Sequence, residues 1–163
     1  MKITIQIVVL VAFICFANGL CFAGEPGKRE PQGIRLNAEV RNSNDGKSQL
    51  AFDLEYVGDK PARIFESNLP WGIRHSLLLV AVCLDGKRSS IAELEYIDDP
   101  TPSVVSLQPG QKARGSIDLS DRFPKLGECL AKRDAIIFWS YQFVPVDGAP
   151  STRINGGVQI SKR

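Results

Sequence analysis

Ile34, Leu36, Ala38 and Val40 alternate with Arg35, Asn37, Glu39 and Arg41, and the same period of two returns over 50–56, 113–119, 135–144 and 154–160. A side chain that points to opposite faces at each step makes this the mark of a strand with one buried and one wet face. The segments between are rich in turn formers: Asn42-Ser43-Asn44-Asp45-Gly46-Lys47, Gly58-Asp59-Lys60-Pro61, Gln108-Pro109-Gly110-Gln111 and Val146-Asp147-Gly148-Ala149. Asp-Gly between two alternating runs is a hairpin signal, so 34–41 and 50–56 are expected to pair. No long stretch has the 3.6-residue period of an amphipathic helix. The expected fold is all-β: a single immunoglobulin-like antiparallel β-sandwich of seven to nine strands.

Shorter strands fill the pattern. Ala62 to Phe65 and Val104 to Leu107 are expected as two of them, and Ile91 to Tyr96 as a third. The run Leu77-Leu78-Leu79-Val80-Ala81-Val82 is continuously apolar, too short for a long helix, and stopped by Asp85-Gly86-Lys87. It predicts a central strand covered on both sides. Ser120 to Pro124 is expected to form one helical turn capped by Ser120. In the 135–144 strand, Trp139, Tyr141 and Phe143 share one face, with Ile136 and Phe138 on the other.

The N-terminus has a different character. Lys2 is followed by an apolar stretch from Ile3 to Phe16, then by Ala17-Asn18-Gly19-Leu20-Cys21-Phe22-Ala23-Gly24. A positive start, an apolar middle and small residues before a cut predict a secretory signal peptide over 1–23, cleaved after Ala23, with Ala17-Asn18-Gly19 as the second position. A retained membrane anchor and a lipidated Cys21 are the competing readings. Leu20 stands where lipoprotein signals place a small residue, and Gln6 and Asn18 interrupt the apolar run. Residues 24–32 hold Pro and Gly among mixed charges and are expected to be a flexible lead-in to a domain over 33–163. The expected location is the periplasm or the extracellular space, with no membrane insertion after cleavage.

Export changes the reading of the cysteines. Cys15 and Cys21 leave with the leader, and Cys83 and Cys129 remain. In an oxidising compartment they are expected to form one disulfide, two separate buried or free thiols being the alternative. Charge narrows the partners. Twenty Lys and Arg stand against 18 Asp and Glu, and the leader takes only Lys2. A nearly balanced chain without a Lys/Arg run has no electrostatic case for nucleic acid or an anionic membrane.

Leu54-Glu55-Tyr56-Val57-Gly58-Asp59-Lys60-Pro61-Ala62-Arg63-Ile64 resembles the strand-turn-strand start of small β-sandwich accessory domains. These precede the catalytic domain of secreted peptidyl-lysine metalloendopeptidases. Leu107-Gln108-Pro109-Gly110 with Ile117-Asp118-Leu119-Ser120 resembles a later Leu-x-Pro-Gly … Asp-Leu-Ser stretch of the same domains. The resemblance covers Ser48 to Tyr141 and implies a fold and extracellular company. It does not imply the activity, because that zinc site needs two histidines one helical turn apart and this chain has one histidine, His75.

Chemistry-bearing motifs are few. His75 has no Gly-x-Ser-x-Gly elbow to serve, and no Gly-rich phosphate loop or CxxC is present. Glu93, Glu95, Asp98 and Asp99 cluster without the spacing of a calcium loop and read as a solvated acidic face. Neither a metal nor a cofactor is expected. The stretch Asn68-Leu69-Pro70-Trp71, with His75 beyond it, is the candidate binding segment. Pro70 stiffens the loop, and Trp71 offers a large ring at low entropic cost. The competing reading has Trp71 plugging one end of the sandwich. The expected function is a non-enzymatic exported binding module, inhibitor-like or subunit-like, with another protein as partner. A structural component of an envelope assembly and an unrecognised hydrolase are the alternatives.

Overall fold

A computed structural model describes residues 33–42, 47–72, 76–94 and 103–163. The leader, the lead-in, the 43–46 turn, His75, and Glu95, Asp98 and Asp99 of the acidic cluster lie outside the described residues.

The fold is all-β and antiparallel. Its nine described strands are β1 Ile34–Asn42, β2 Ser48–Tyr56, β3 Ala62–Phe65, β4 Leu77–Cys83, β5 Ser90–Ile91, β6 Val104–Leu107, β7 Lys112–Asp118, β8 Ala135–Tyr141 and β9 Ile154–Ile160. Two short helices, α1 Leu119–Arg122 and α2 Leu126–Leu130, lie between β7 and β8. The strands form one sheet in the order β1-β2-β7, a second in the order β5-β4-β8-β9, and a ribbon of β3 with β6. The two larger sheets follow the strand order of an immunoglobulin-like sandwich, and the β3-β6 ribbon departs from it.

Register follows from the alternation. Ile34 pairs with Tyr56, Leu36 with Leu54 and Ala38 with Phe52, so the apolar sets of β1 and β2 share the inner face. Leu50, Phe52, Leu54 and Tyr56 of β2 are buried. Across the sandwich they meet Ile137, Trp139 and Tyr141 of β8 and Leu77, Leu79 and Ala81 of β4 within one core. Phe52 and Trp139 join the sheets edge to face, with ring centroids 6.1 Å apart and planes at 85°. That is a favoured geometry for two aromatic quadrupoles. The outer face of the first sheet is polar and carries ion pairs, as in Arg35–Glu55 at 3.4 Å.

Cys83 and Cys129 are bonded, tying the end of β4 to α2, with 5.9 Å between their Cα atoms. Both helices sit at that end of the sandwich and contribute buried Leu119, Leu126 and Leu130, with buried Phe123 between them.

Three sequence expectations change. Asp118, not Ser120, caps α1: its carboxylate accepts from the Ser120 N–H at 2.8 Å. Strand β5 ends at Ile91, earlier than the 91–96 run suggested. Strand β4 is central in its sheet, between β5 and β8, yet only one of its faces is covered. Leu78 and Val80 are 47% and 50% exposed on the other. The sequence cannot separate these cases, because the outward residues of β4 are as apolar as the inward ones.

Candidate functional site

The segment after β3 is pinned from beneath. Glu66–Asn68 makes a single 3-10 turn, closed by the Leu69 N–H donating to the Glu66 carbonyl at 3.0 Å. Gly72 donates to the Leu69 carbonyl at 2.8 Å, and a side chain at Gly72 would run into the Ser67 carbonyl. The buried Tyr141 hydroxyl donates to the Asn68 carbonyl at 2.9 Å. A buried backbone acceptor needs such a partner, so the core strand β8 fixes the loop that carries Trp71.

Trp71 itself is half-buried. Its indole occupies the space that a Cβ at Gly115 would need. Gly115 lies on β7 directly opposite Phe52 and therefore on the inner side of the first sheet. Trp71 thus covers the β7 edge of the sandwich from within while leaving part of its ring open.

The open part is one wall of a cleft of about 600 Å³. Leu94, Ile117 and Pro124 supply the rest of its apolar surface, and Asp118, Asp121 and Arg122 its charges. The Leu94 N–H donates to the Arg122 carbonyl at 2.7 Å, which holds the chain after β5 against α1. Arg122 Nε is shielded from solvent and faces Glu93 at 3.5 Å, an ion pair without a hydrogen bond. Burial works against the ionised Asp118 carboxylate. The Ser120 hydrogen bonds and the Lys47 ammonium at 3.3 Å outweigh it and hold the carboxyl below its ordinary value. An apolar wall with a few placed charges suits the capture of a side chain or short segment.

The structure places the sequence-selected residues unequally. Asn68, Leu69 and Pro70 are buried and position the loop. Trp71 lines the cleft, and His75 lies outside the described residues. Of the acidic cluster, Glu93 is described, and it is turned to Arg122. Among the described residues no three His, Cys, Asp or Glu side chains converge as a metal site. Nor is any described helix long and apolar enough to cross a membrane. Leu94, Ile117, Asp118, Asp121, Arg122 and Pro124 were not legible as site residues. They come from the segment after β5, from β7 and from the α1 region, and only tertiary folding brings them to Trp71.

Compared with protein-family models and with curated proteins, the chain matches none.

Proposed function

We propose that the chain is an exported, non-enzymatic binding module that holds another protein through the Trp71 cleft. The observation that carries this reading is the half-open indole seated on Gly115, with Leu94, Ile117 and Pro124 around it and Asp118, Asp121 and Arg122 at hand. Aromatic anchors beside a few charges are what binding hot spots are made of. The mixed charge favours a partner segment that presents an apolar side chain beside a basic one. The first fills the space against Trp71, and the second meets Asp121.

Export is supported by the leader-like 1–23 segment and by the Cys83–Cys129 bond, since disulfides persist in oxidising compartments. The resemblance to protease accessory domains supports the same company of secreted proteins. A binding role is supported by the cleft lining itself, an apolar wall of Trp71, Leu94, Ile117 and Pro124 with a few placed charges.

The test is quantitative affinity capture from the source envelope and culture fluid, comparing the native chain with Trp71→Ala and Asp121→Arg. Asn37→Arg, on the exposed outer side of β1, is the control. A stoichiometric protein partner lost at least tenfold in both cleft variants and kept in the control is expected. A partner retained by both cleft variants, or the absence of any partner, would contradict the reading.

A further inference from the structure

The outward face of the β5-β4-β8-β9 sheet carries no charged residue at any of its paired outward positions. Strand β4 presents Leu78, Val80 and Val82, and β8 presents Ile136, Phe138 and Ser140. Strand β9 adds Asn155, Gly157 and Gln159, and β5 adds Ser90. Leu78, Val80 and Phe138 are 47%, 50% and 48% exposed. Val80 and Phe138 stand directly opposite each other at the centres of β4 and β8. The Phe138 ring leans over Gly157, where an added Cβ would come within 3.3 Å of it. The outer face of β1-β2-β7, by contrast, carries ion pairs such as Arg114–Asp53 and Arg35–Glu55. A contiguous apolar patch with a polar rim marks an interaction surface.

One charged side chain engages the outward residues at each end of this face, and the two differ in sign. At the Tyr141 end, Arg153 donates to the Ser140 carbonyl at 3.1 Å and reaches the Ser140 hydroxyl at 3.5 Å. At the Ala135 end, Asp134 accepts from Gln159 Nε2 at 3.0 Å and from the Lys162 backbone at 2.9 Å. Both charged groups sit beside β8 and β9, separated along the strands.

We propose that this face pairs with the same face of a second copy of the chain, about a two-fold axis lying in the interface across the strands at Phe138. An isologous contact requires a self-complementary patch, and this operation supplies one. Phe138 meets its own counterpart on the axis. Leu78 of one copy meets Val82 of the other, and Ile136 meets Ser140. Arg153 of each copy comes to the Asp134 end of its partner, so opposite charges face each other twice. With the two-fold axis along the strands instead, Arg153 would face Arg153 and Asp134 would face Asp134.

Area sets the strength. Three seven-residue strands at about 4.8 Å spacing and about 3.4 Å rise cover roughly 350 Å² of plane. A standard interface buries about 800 Å² per partner. The contact therefore belongs with small, transient interfaces, and the dimer is weak. Nothing in this pairing depends on the Trp71 cleft.

Sedimentation equilibrium of the chain as isolated, its N-terminus fixed by intact mass, tests the proposal over a concentration series. A monomer–dimer equilibrium is expected. Phe138→Glu, which sets two carboxylates on the axis, weakens it at least tenfold with the thermal midpoint kept as a folding control. Asp134→Arg and Arg153→Asp each weaken it, and the double exchange restores most of the loss. A chain that stays purely monomeric up to roughly 1 mM, the weak end of the affinity scale, would overturn the proposal. So would a dimer indifferent to Phe138→Glu, or a double exchange no better than its singles. Binding of a different protein, or of lipid vesicles, at Phe138 by a monomeric chain would overturn it as well.

Discussion

The Trp71 indole rests against Gly115, filling the space that a side chain on β7 would take. Glycine in a strand interior weakens the strand and often marks a close approach of another group. Here the approaching group is the wall of the cleft. Gly115→Ala is expected to force the ring outward, cost about 1–3 kcal/mol of stability by overpacking, and abolish partner capture. Denaturant midpoints with tryptophan emission check this. An unchanged midpoint and spectrum would mean that the ring does not depend on the glycine.

Tyr141 couples that loop to the core. Its hydroxyl is buried and satisfies the Asn68 carbonyl. Tyr141→Phe leaves this acceptor without its partner and is expected to cost about 1–3 kcal/mol, with weaker capture because the Trp71 loop loosens. Burial also pushes the phenol well above its ordinary value of 10.0. The native state therefore keeps a proton that the unfolded chain releases above pH 10. The resulting stability is full below pH 10 and is lost as pH rises further. Unfolding free energy followed from pH 8 to 12 should fall at the alkaline end in the native chain, and less steeply in Tyr141→Phe.

Asp118 caps α1 and pairs with Lys47 at 3.3 Å. Asp118→Ala is expected to cost about 1 kcal/mol, whereas Asp118→Asn keeps the cap and recovers most of it. The carboxyl is held below its ordinary value of 3.8 in the native state. Its contribution is complete above that value and is lost as pH falls through the lower native one. The acid limb of the stability profile should flatten in Asp118→Asn; an unaltered limb would assign acid sensitivity to other groups.

The Cys83–Cys129 bond spans a sequence separation of 46 residues. In the chain-entropy treatment a loop of that length contributes about 4 kcal/mol. Replacing both cysteines by alanine should lower the unfolding free energy by about that amount, without changing the strand signature in circular dichroism. Intact mass under non-reducing conditions checks the bond directly.

The strands of the outer sandwich were readable because their alternation is strict: β1, β2, β7 and β9 carry polar residues at nearly every outward step. Strand β4 broke that logic. Its outward Leu78 and Val80 imitate inward residues, so the run looked covered on both sides. The single turn α1 was visible as a capping signal, but Asp118 and Ser120 both suit a cap, and only the 2.8 Å bond to the Ser120 N–H decides between them. Helix α2 has five residues, too few to show a period. Of the site, Trp71 stood out by its size and its Pro70 neighbour. Its opposite wall did not, since Leu94 and Pro124 lie far from it in sequence and carry no local mark of function.

The central claim is that a protein partner contacts the Trp71 cleft, and site-specific photocrosslinking tests it most directly. A photoreactive phenylalanine is placed at position 121, at the cleft, and separately at position 37, on the outer side of β1. After irradiation in the producing cells, one discrete crosslinked protein from position 121 and none from position 37 is the expected result. No crosslink at 121, or the same products from both positions, would contradict the claim.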